Sequence, residues 1–233
     1  FAKGLITLDE LRQWEYEHRE SEEQREFNVL AAPGYVELID ELVTLSGDRG
    51  NTAFVVGDSP ARLANNSTDI TNWATNANSS ATNDEDGLVT SDSFTAVYYP
   101  WGTSTDLAGN NVFVPPSHMV LRTLAVNDDV AFPWFAPAGI RRGVVDNATS
   151  VGFIKASTGE KQVIAVSQGI RDTLSTNRVN PISFLTGAGL TIFGQKTRHS
   201  GTSALDRVNV ARLVVFLRTQ LDKLAQPFIF EPK

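Results

Sequence analysis

Between residues 27 and 126, short apolar runs alternate with segments of helical periodicity, and this alternation limits the fold more than any other feature. Phe27–Ala32, Thr52–Val56 and Phe94–Tyr99 have the length and apolar character of buried strands. Tyr35, Leu38, Ile39, Leu42 and Val43 recur at helical spacing, with Pro33-Gly34 before them and Ser46-Gly47 after. A second helix is expected from about Pro60 into the Trp73 region. A third opens at Pro115-Pro116-Ser117, where a helix start tolerates proline, and runs through Val126. Strands apolar on both faces, each followed by a helix, predict an α/β fold with a doubly wound, mainly parallel sheet. Asn76–Gly87 and Gly102–Asn111 are polar stretches read as loops.

After Gly143 the texture changes to a smaller α+β unit of two layers. Its expected elements are strand Ser150–Lys155, helix Lys161–Leu174, strands Pro181–Leu185 and Leu190–Gln195, and helix Asp206–Leu224. Upstream of the sheet, Thr7-Leu8-Asp9-Glu10 has the form of a capping box, and a helix to about Gln24 would place Leu8, Leu11, Trp14 and His18 on one side. The expected organisation is a helical segment over 1–28, an α/β domain over 29–143 and the α+β domain over 144–233. There is no internal repeat.

Composition excludes several function classes. A net charge of −7 lacks the basic footprint of a nucleic-acid binder. The acid is concentrated: between Asp9 and Glu26 eight carboxylates face three arginines, a net of −5 that leaves −2 for the remainder. Such a run is either a solvated helix face or an acidic contact surface for a neighbour. No apolar stretch is long enough for a membrane helix, and no basic and apolar leader opens the chain. The absence of an initiator Met points to an internal fragment or processed product. With no cysteine there is no disulfide, thiolate or Cys-based zinc chemistry, which fits assembly in a reducing cytoplasm.

Catalytic constellations are missing. Gly201-Thr202-Ser203-Ala204 has the look of a subtilisin-type nucleophile turn, but a serine needs a base and a group that orients the base. None of the three histidines precedes a glycine, as the subtilisin base would, and Asp58-Ser59-Pro60 lacks the glycine of the orienting-aspartate motif. The stretch reads instead as a loop before a helix cap at Asp206. Asn83–Gly87 faintly resembles an EF-hand loop, yet its first and twelfth positions would be Thr82 and Ser93, neither a carboxylate. The histidines have no metal-ligand spacing, and no phosphate-binding glycine loop occurs, so no metal, cofactor or catalytic residue is expected.

The Asp206–Leu224 helix rewards an angular count at about 100° per residue. Val210, Leu213, Val214, Phe216, Leu217, Leu221 and Leu224 fall on one broad half, which is expected to pack on the sheet. The other half carries Arg207, Arg212, Arg218 and Lys223 against Asp222 alone, with Val208 and Val215 in the middle of the arc. That half reads either as a basic solvated face or as a surface covered by a partner.

The order of short motifs in the last third resembles the C-terminal signature of contractile phage tail sheath proteins. It runs Val179-Asn180-Pro181, then Gly189–Thr197, then Asp206–Leu213 with its Arg-x-Val-Asn-Val-x-Arg-Leu pattern, and ends on Phe230-Glu231-Pro232. Tyr98–Trp101, Val114–Ser117 and the Ala136–Gly143 linker extend the resemblance, and Ala32–Tyr35 carries it weakly upstream. The chain has Gly194-Gln195-Lys196-Thr197 where many sheaths have Gly-x-Arg-Thr. The resemblance implies a non-catalytic, subtilisin-like α/β domain followed by the sheath C-terminal domain. It also implies a structural subunit that forms a helical cylinder and contracts by subunit rotation to drive the tube through the host envelope. Implied partners are copies of itself, the tail tube protein, the baseplate and the tail terminator, with no nucleic acid and no membrane. The implied location is the virion tail sheath, with the host cytoplasm during assembly. Because the C-terminal domain of sheaths lies innermost, Arg207, Arg212, Arg218 and Lys223 are the expected tube-facing residues. Sheath subunits also use terminal arms that add strands to neighbours, and these are absent from the 233 residues, so a monomer is expected in solution. The sheath of a related contractile injection system and, more distantly, a subtilisin-like hydrolase are the competing readings.

Overall fold

The computed structural model describes residues 27–77, Leu88 and 91–228. The expected Thr7–Gln24 helix, the acidic Asn83–Gly87 loop and the Phe230-Glu231-Pro232 ending lie outside the described residues.

Five strands make the main sheet in the order β1 (Val29–Ala31), β2 (Phe54–Asp58), β3 (Thr95–Tyr99), β8 (Val179–Leu185) and β9 (Gly189–Ile192). The first four run parallel, and β9 turns back antiparallel on β8. Every residue of β2 and β3 is buried, the pattern of a parallel sheet covered on both faces. The fold is thus the α/β, mainly parallel class expected from the alternation of runs.

The helices follow their local signals. Helix α1 (Ile39–Asp48) is entered by a 3₁₀ turn at Val36–Leu38 and buries Ile39 and Leu42. Helix α2 (Ser67–Ala74) begins later than Pro60, because the Asn66 side chain supplies the cap by accepting from the Asp69 N–H. Helix α3 (Pro116–Val130) has proline in its first turn. Helix α5 (Gln168–Thr176) is capped by Ser167 and packs on α2 and β8. The last helix, α6 (Val208–Ala225), lies against β2, and a short turn, α4 (Gly139–Arg142), precedes Gly143.

Two expectations fail. Gly102–Asn111 is not a loop: β4 (Trp101–Thr105) and β5 (Asn111–Val114) form a hairpin, whose turn is held by Asp106 accepting from the Ala108 and Asn110 N–H groups. Threonine and serine fill β4, so no apolar run announced it. Likewise Lys161–Val163 is not the first turn of a helix but an exposed strand, β7, paired with β6 (Ser150–Ile154). Together β5-β4-β6-β7 make a second, antiparallel sheet.

Gly143, the expected domain boundary, does not separate the sheets. Strand β8 completes the main sheet beside β3, and β6 completes the second sheet beside β4. Residues on both sides of the linker share one hydrophobic core, from Phe54 and Trp73 to Ile182 and Val215. The outer edge of β9 is also occupied, since the Val145 N–H donates to Leu190 and the Ile192 N–H to Gly143. The sheet therefore presents no free edge there.

Candidate interaction surface

Three of the motifs that carry the resemblance, Asn180-Pro181, Gly194–Thr197 and the start of the Asp206–Leu213 stretch, meet in one buried polar knot. Asn180, 1% exposed, donates from Nδ2 to the carbonyls of Val97 (3.2 Å) and Lys196 (2.8 Å) and accepts the Lys196 N–H at 2.7 Å. Pro181 follows it in β8 and brings no N–H to the ladder, so the asparagine amide adds a donor beside that gap. A Cβ at Gly194 would lie 2.8 Å from Asn180 Oδ1 and 3.0 Å from Pro181 Cδ, which explains the glycine. Thr197 is fully buried, its hydroxyl donating to the Leu205 carbonyl at 2.6 Å, and the Arg198 N–H donates to Thr95. The Val208 N–H donates to Gln195 and thereby ties the start of α6 to the knot. Arg198 spans Asn177 and Ala74 carbonyls, and burial, with Arg178 nearby, lowers its pKa to about 10. These residues hold structure and expose no reactive group.

Helix α6 is turned half a revolution from its expected orientation. Val208, Ala211, Arg212 and Val215 form its buried stripe. Leu217, Leu221 and Leu224, expected in the core, are 45%, 61% and 67% exposed. Of the four arginine and lysine residues expected on an open face, Arg212 is the clear correction. Its side chain is 2% exposed and meets Asp128 of α3 through two hydrogen bonds of 2.9 and 2.5 Å. A fixed, planar guanidinium matches the carboxylate edge to edge, which makes its burial tolerable. Arg218 donates to the Gly50 and Asn51 carbonyls and lies over the Phe94 ring, so it too is committed to the body. Arg207, paired with Asp206 at 3.2 Å, and Lys223 lie at the surface. The only hint of this rotation in the sequence was the pair Val208 and Val215 on the cationic arc.

Among the described residues no catalytic arrangement forms around Ser203. Its hydroxyl accepts from the Leu205 N–H and caps the 3₁₀ turn Ala204–Asp206. The nearby His199 instead pairs through Nδ1 with Ser93 at 2.9 Å. At the carboxyl ends of the parallel strands, where α/β folds bind ligands, the chain fills the position itself. Asp58 Oδ2 accepts from the Gly34 N–H and the Ser117 hydroxyl, and Oδ1 from the Ser117 N–H at the start of α3. Burial raises the Asp58 pKa to about 6 despite these donors. Among the described residues no group of three or more potential metal ligands occurs, and no helix is long and apolar enough to cross a membrane.

Comparison with known proteins agrees with the resemblance. No family model matches the chain. It is 29% identical over 181 residues to the tail sheath protein of Enterobacteria phage T4, a match covering 76% of this chain and 24% of that protein. It is 29% identical over 121 residues to the tail sheath protein of Vibrio phage KVP40, covering 52% and 16%. Among solved structures it resembles the helical sheath of the anti-feeding prophage in its contracted state, with a TM-score of 0.69 and 21% identity over 98% of this chain and 55% of that one. It also resembles the contracted PVC sheath of an extracellular contractile injection system, with a TM-score of 0.63 and 23% identity over 90% and 50%. The chain thus spans about a quarter or less of its sequence relatives and about half of the solved chains. The sheath resemblance and the mainly parallel α/β fold are in line with these likenesses.

Proposed function

We propose that this chain is part of a contractile tail sheath subunit, a structural protein that stacks with copies of itself into a helical cylinder and catalyses nothing. The observation that carries the reading is the likeness to sheath structures along nearly the whole chain. The polar knot supports it, because the motifs shared with sheaths serve rigidity and not chemistry. A sheath that shortens by rotating its subunits needs bodies that stay rigid while contacts between them change.

In this reading the sheath encloses a tail tube, is anchored on a baseplate and is closed by a terminator. It is assembled in the host cytoplasm and carried in the virion, and contraction drives the tube through the host envelope. Arg207 and Lys223, the two of the original four exposed at the surface, are the residues proposed to face the tube. The sheath of a contractile injection system is the second reading, favoured by the likeness to the anti-feeding prophage and PVC sheaths. The 2.9 Å pairing of His199 with Ser93, away from Ser203, speaks against a hydrolase.

The test is electron microscopy of the full-length protein expressed alone. Hollow tubes of regular helical pitch are expected. A full-length protein that stays monomeric at high concentration, with and without tube protein, would overturn the proposal.

A further inference from the structure

Leu107, at the tip of the β4–β5 hairpin, is fully exposed and packs on nothing in its own chain. Scattered apolar residues are ordinary on a surface, but this one stands on a rigid mount. The Asp106 carboxylate accepts from the Ala108 N–H at 2.9 Å, the Asn110 N–H at 2.8 Å and the Asn110 side-chain amide at 3.1 Å. The Asp106 carbonyl accepts from the Gly109 N–H at 3.0 Å, and Gly109 supplies the positive φ, +85°, that closes the turn. The Leu107 N–H has no acceptor among the described residues. Hydrogen bonds from Asn110 hold the Asp106 carboxyl below its ordinary pKa, so a negative charge stands beside the leucine.

On a different surface, an open cavity of about 210 Å³ lies between the last turns of α3 and the chain around and after α4. Val126, Val130 and Val144 line it and are 39%, 73% and 42% exposed. Asn127 also lines it, buried; its amide donates to the Phe135 carbonyl, but its Oδ1 has no donor among the described residues. Arg141 is exposed there, with no hydrogen bond or ion pair among the described residues. The other charged groups of the lining are engaged: Arg142 lies over the Phe135 ring, and Asp146 pairs with Arg122. The volume is below the roughly 300–1,000 Å³ of small-molecule sites and suits a single aliphatic side chain.

We propose that Leu107 of one copy seats in this cavity on a second copy, with Asp106 beside Arg141. The contact rests on the reading of the chain as one that stacks with copies of itself, and names where two copies meet. Shape, polarity and charge agree. The leucine meets three valines, and the Leu107 N–H brings a donor to a lining whose Asn127 lacks one. The Asp106 carboxylate meets an unpaired guanidinium, and such a pair fixes alignment more than it adds affinity. Tip and cavity are different surfaces, so each copy offers a tip to one neighbour and a cavity to another. Head-to-tail contacts of this kind repeat into open helical arrays unless their rotation closes a ring.

The assembled full-length protein tests the contact. Subunits with a benzophenone amino acid in place of Leu107 are mixed into an excess of natural subunits, and the tubes are irradiated. Crosslinks to a second chain within residues 123–146 are expected. Tubes whose crosslinks fall elsewhere, reach another protein or do not form overturn the contact and leave the sheath reading standing. Failure of the natural protein to form tubes overturns the sheath reading, and the contact with it. As an independent measure, the protein concentration at which tubes appear is compared for Leu107→Ala, Leu107→Met and, as a control on exposed β7, Val163→Ala. Leu107 packs on nothing in its own chain, so its substitution leaves the fold intact, which circular dichroism checks. Leu107→Ala should raise that concentration about tenfold, as loss of one buried aliphatic side chain does, and the other two by less than about twofold. Equal concentrations for Leu107→Ala and the natural protein overturn the contact.

Discussion

Arg212 and Asp128 form a two-pronged ion pair between α6 and α3, with the guanidinium buried and the carboxylate about a quarter exposed. The pair joins the last helix to the helix that follows the β4–β5 hairpin, and so fixes which face of α6 meets the core. Removing the carboxylate leaves a buried cation without its partner, whereas replacing both with apolar groups of similar size does not. Asp128→Ala should therefore destabilise by about 3 kcal/mol, and Asp128→Leu combined with Arg212→Met by clearly less. Urea unfolding of both variants checks the order; equal losses would mean the pair contributes only through packing.

The knot at Asn180 predicts two further losses. Asn180→Ala removes a hydrogen bond to the Val97 carbonyl and leaves the Lys196 carbonyl and N–H without the amide, and should cost about 3 kcal/mol. Gly194→Ala forces a methyl against Asn180 and the Pro181 ring and should cost about 1–3 kcal/mol. Because both act on one cluster, the double variant should lose less than the sum of the two.

Asp58 gives the stability a defined pH dependence. Burial raises its folded pKa from the ordinary value of 3.8 to about 6. A raised acid pKa means the folded state holds the proton longer than the unfolded chain. The stabilisation is thus complete below pH ~4 and is lost as pH rises through about 6, by roughly 3 kcal/mol. Asp58→Asn should abolish this slope, so the advantage of the natural chain over the variant shrinks between pH 4 and 7. Parallel stability curves for the two proteins across that window would show that the slope belongs to other groups.

Charge reversal separates surface cations from structural ones. Arg207→Glu with Lys223→Glu should change stability by no more than about 0.5 kcal/mol while weakening assembly of the full-length protein on its tube. Arg212→Glu should prevent folding, since it sets a buried carboxylate against Asp128. Circular dichroism reads the folding and sedimentation with tube protein reads the assembly. Normal tube binding by the double variant removes these two residues from the interface.

Local chemistry alone determined a good deal of this protein. The parallel sheet was legible because strands buried on both faces must be uniformly apolar, as Phe54–Val56 and Ala96–Tyr99 are. Helix starts at Pro116 and near Val208 followed from proline and from the motif order. What local patterns left open was decided by contacts between distant residues. The β4–β5 hairpin is polar and gains its place from pairing with β6, and β8 joins β3 across more than eighty residues. The rotation of α6 is the sharpest case. Its leucine-rich half satisfies every amphipathic rule for a core face, yet Asp128 takes Arg212 inward and the Gly50 and Asn51 carbonyls take Arg218. Periodicity says that a helix has two unlike faces. Which of them turns inward depends on charges and carbonyls that only the folded chain brings within reach.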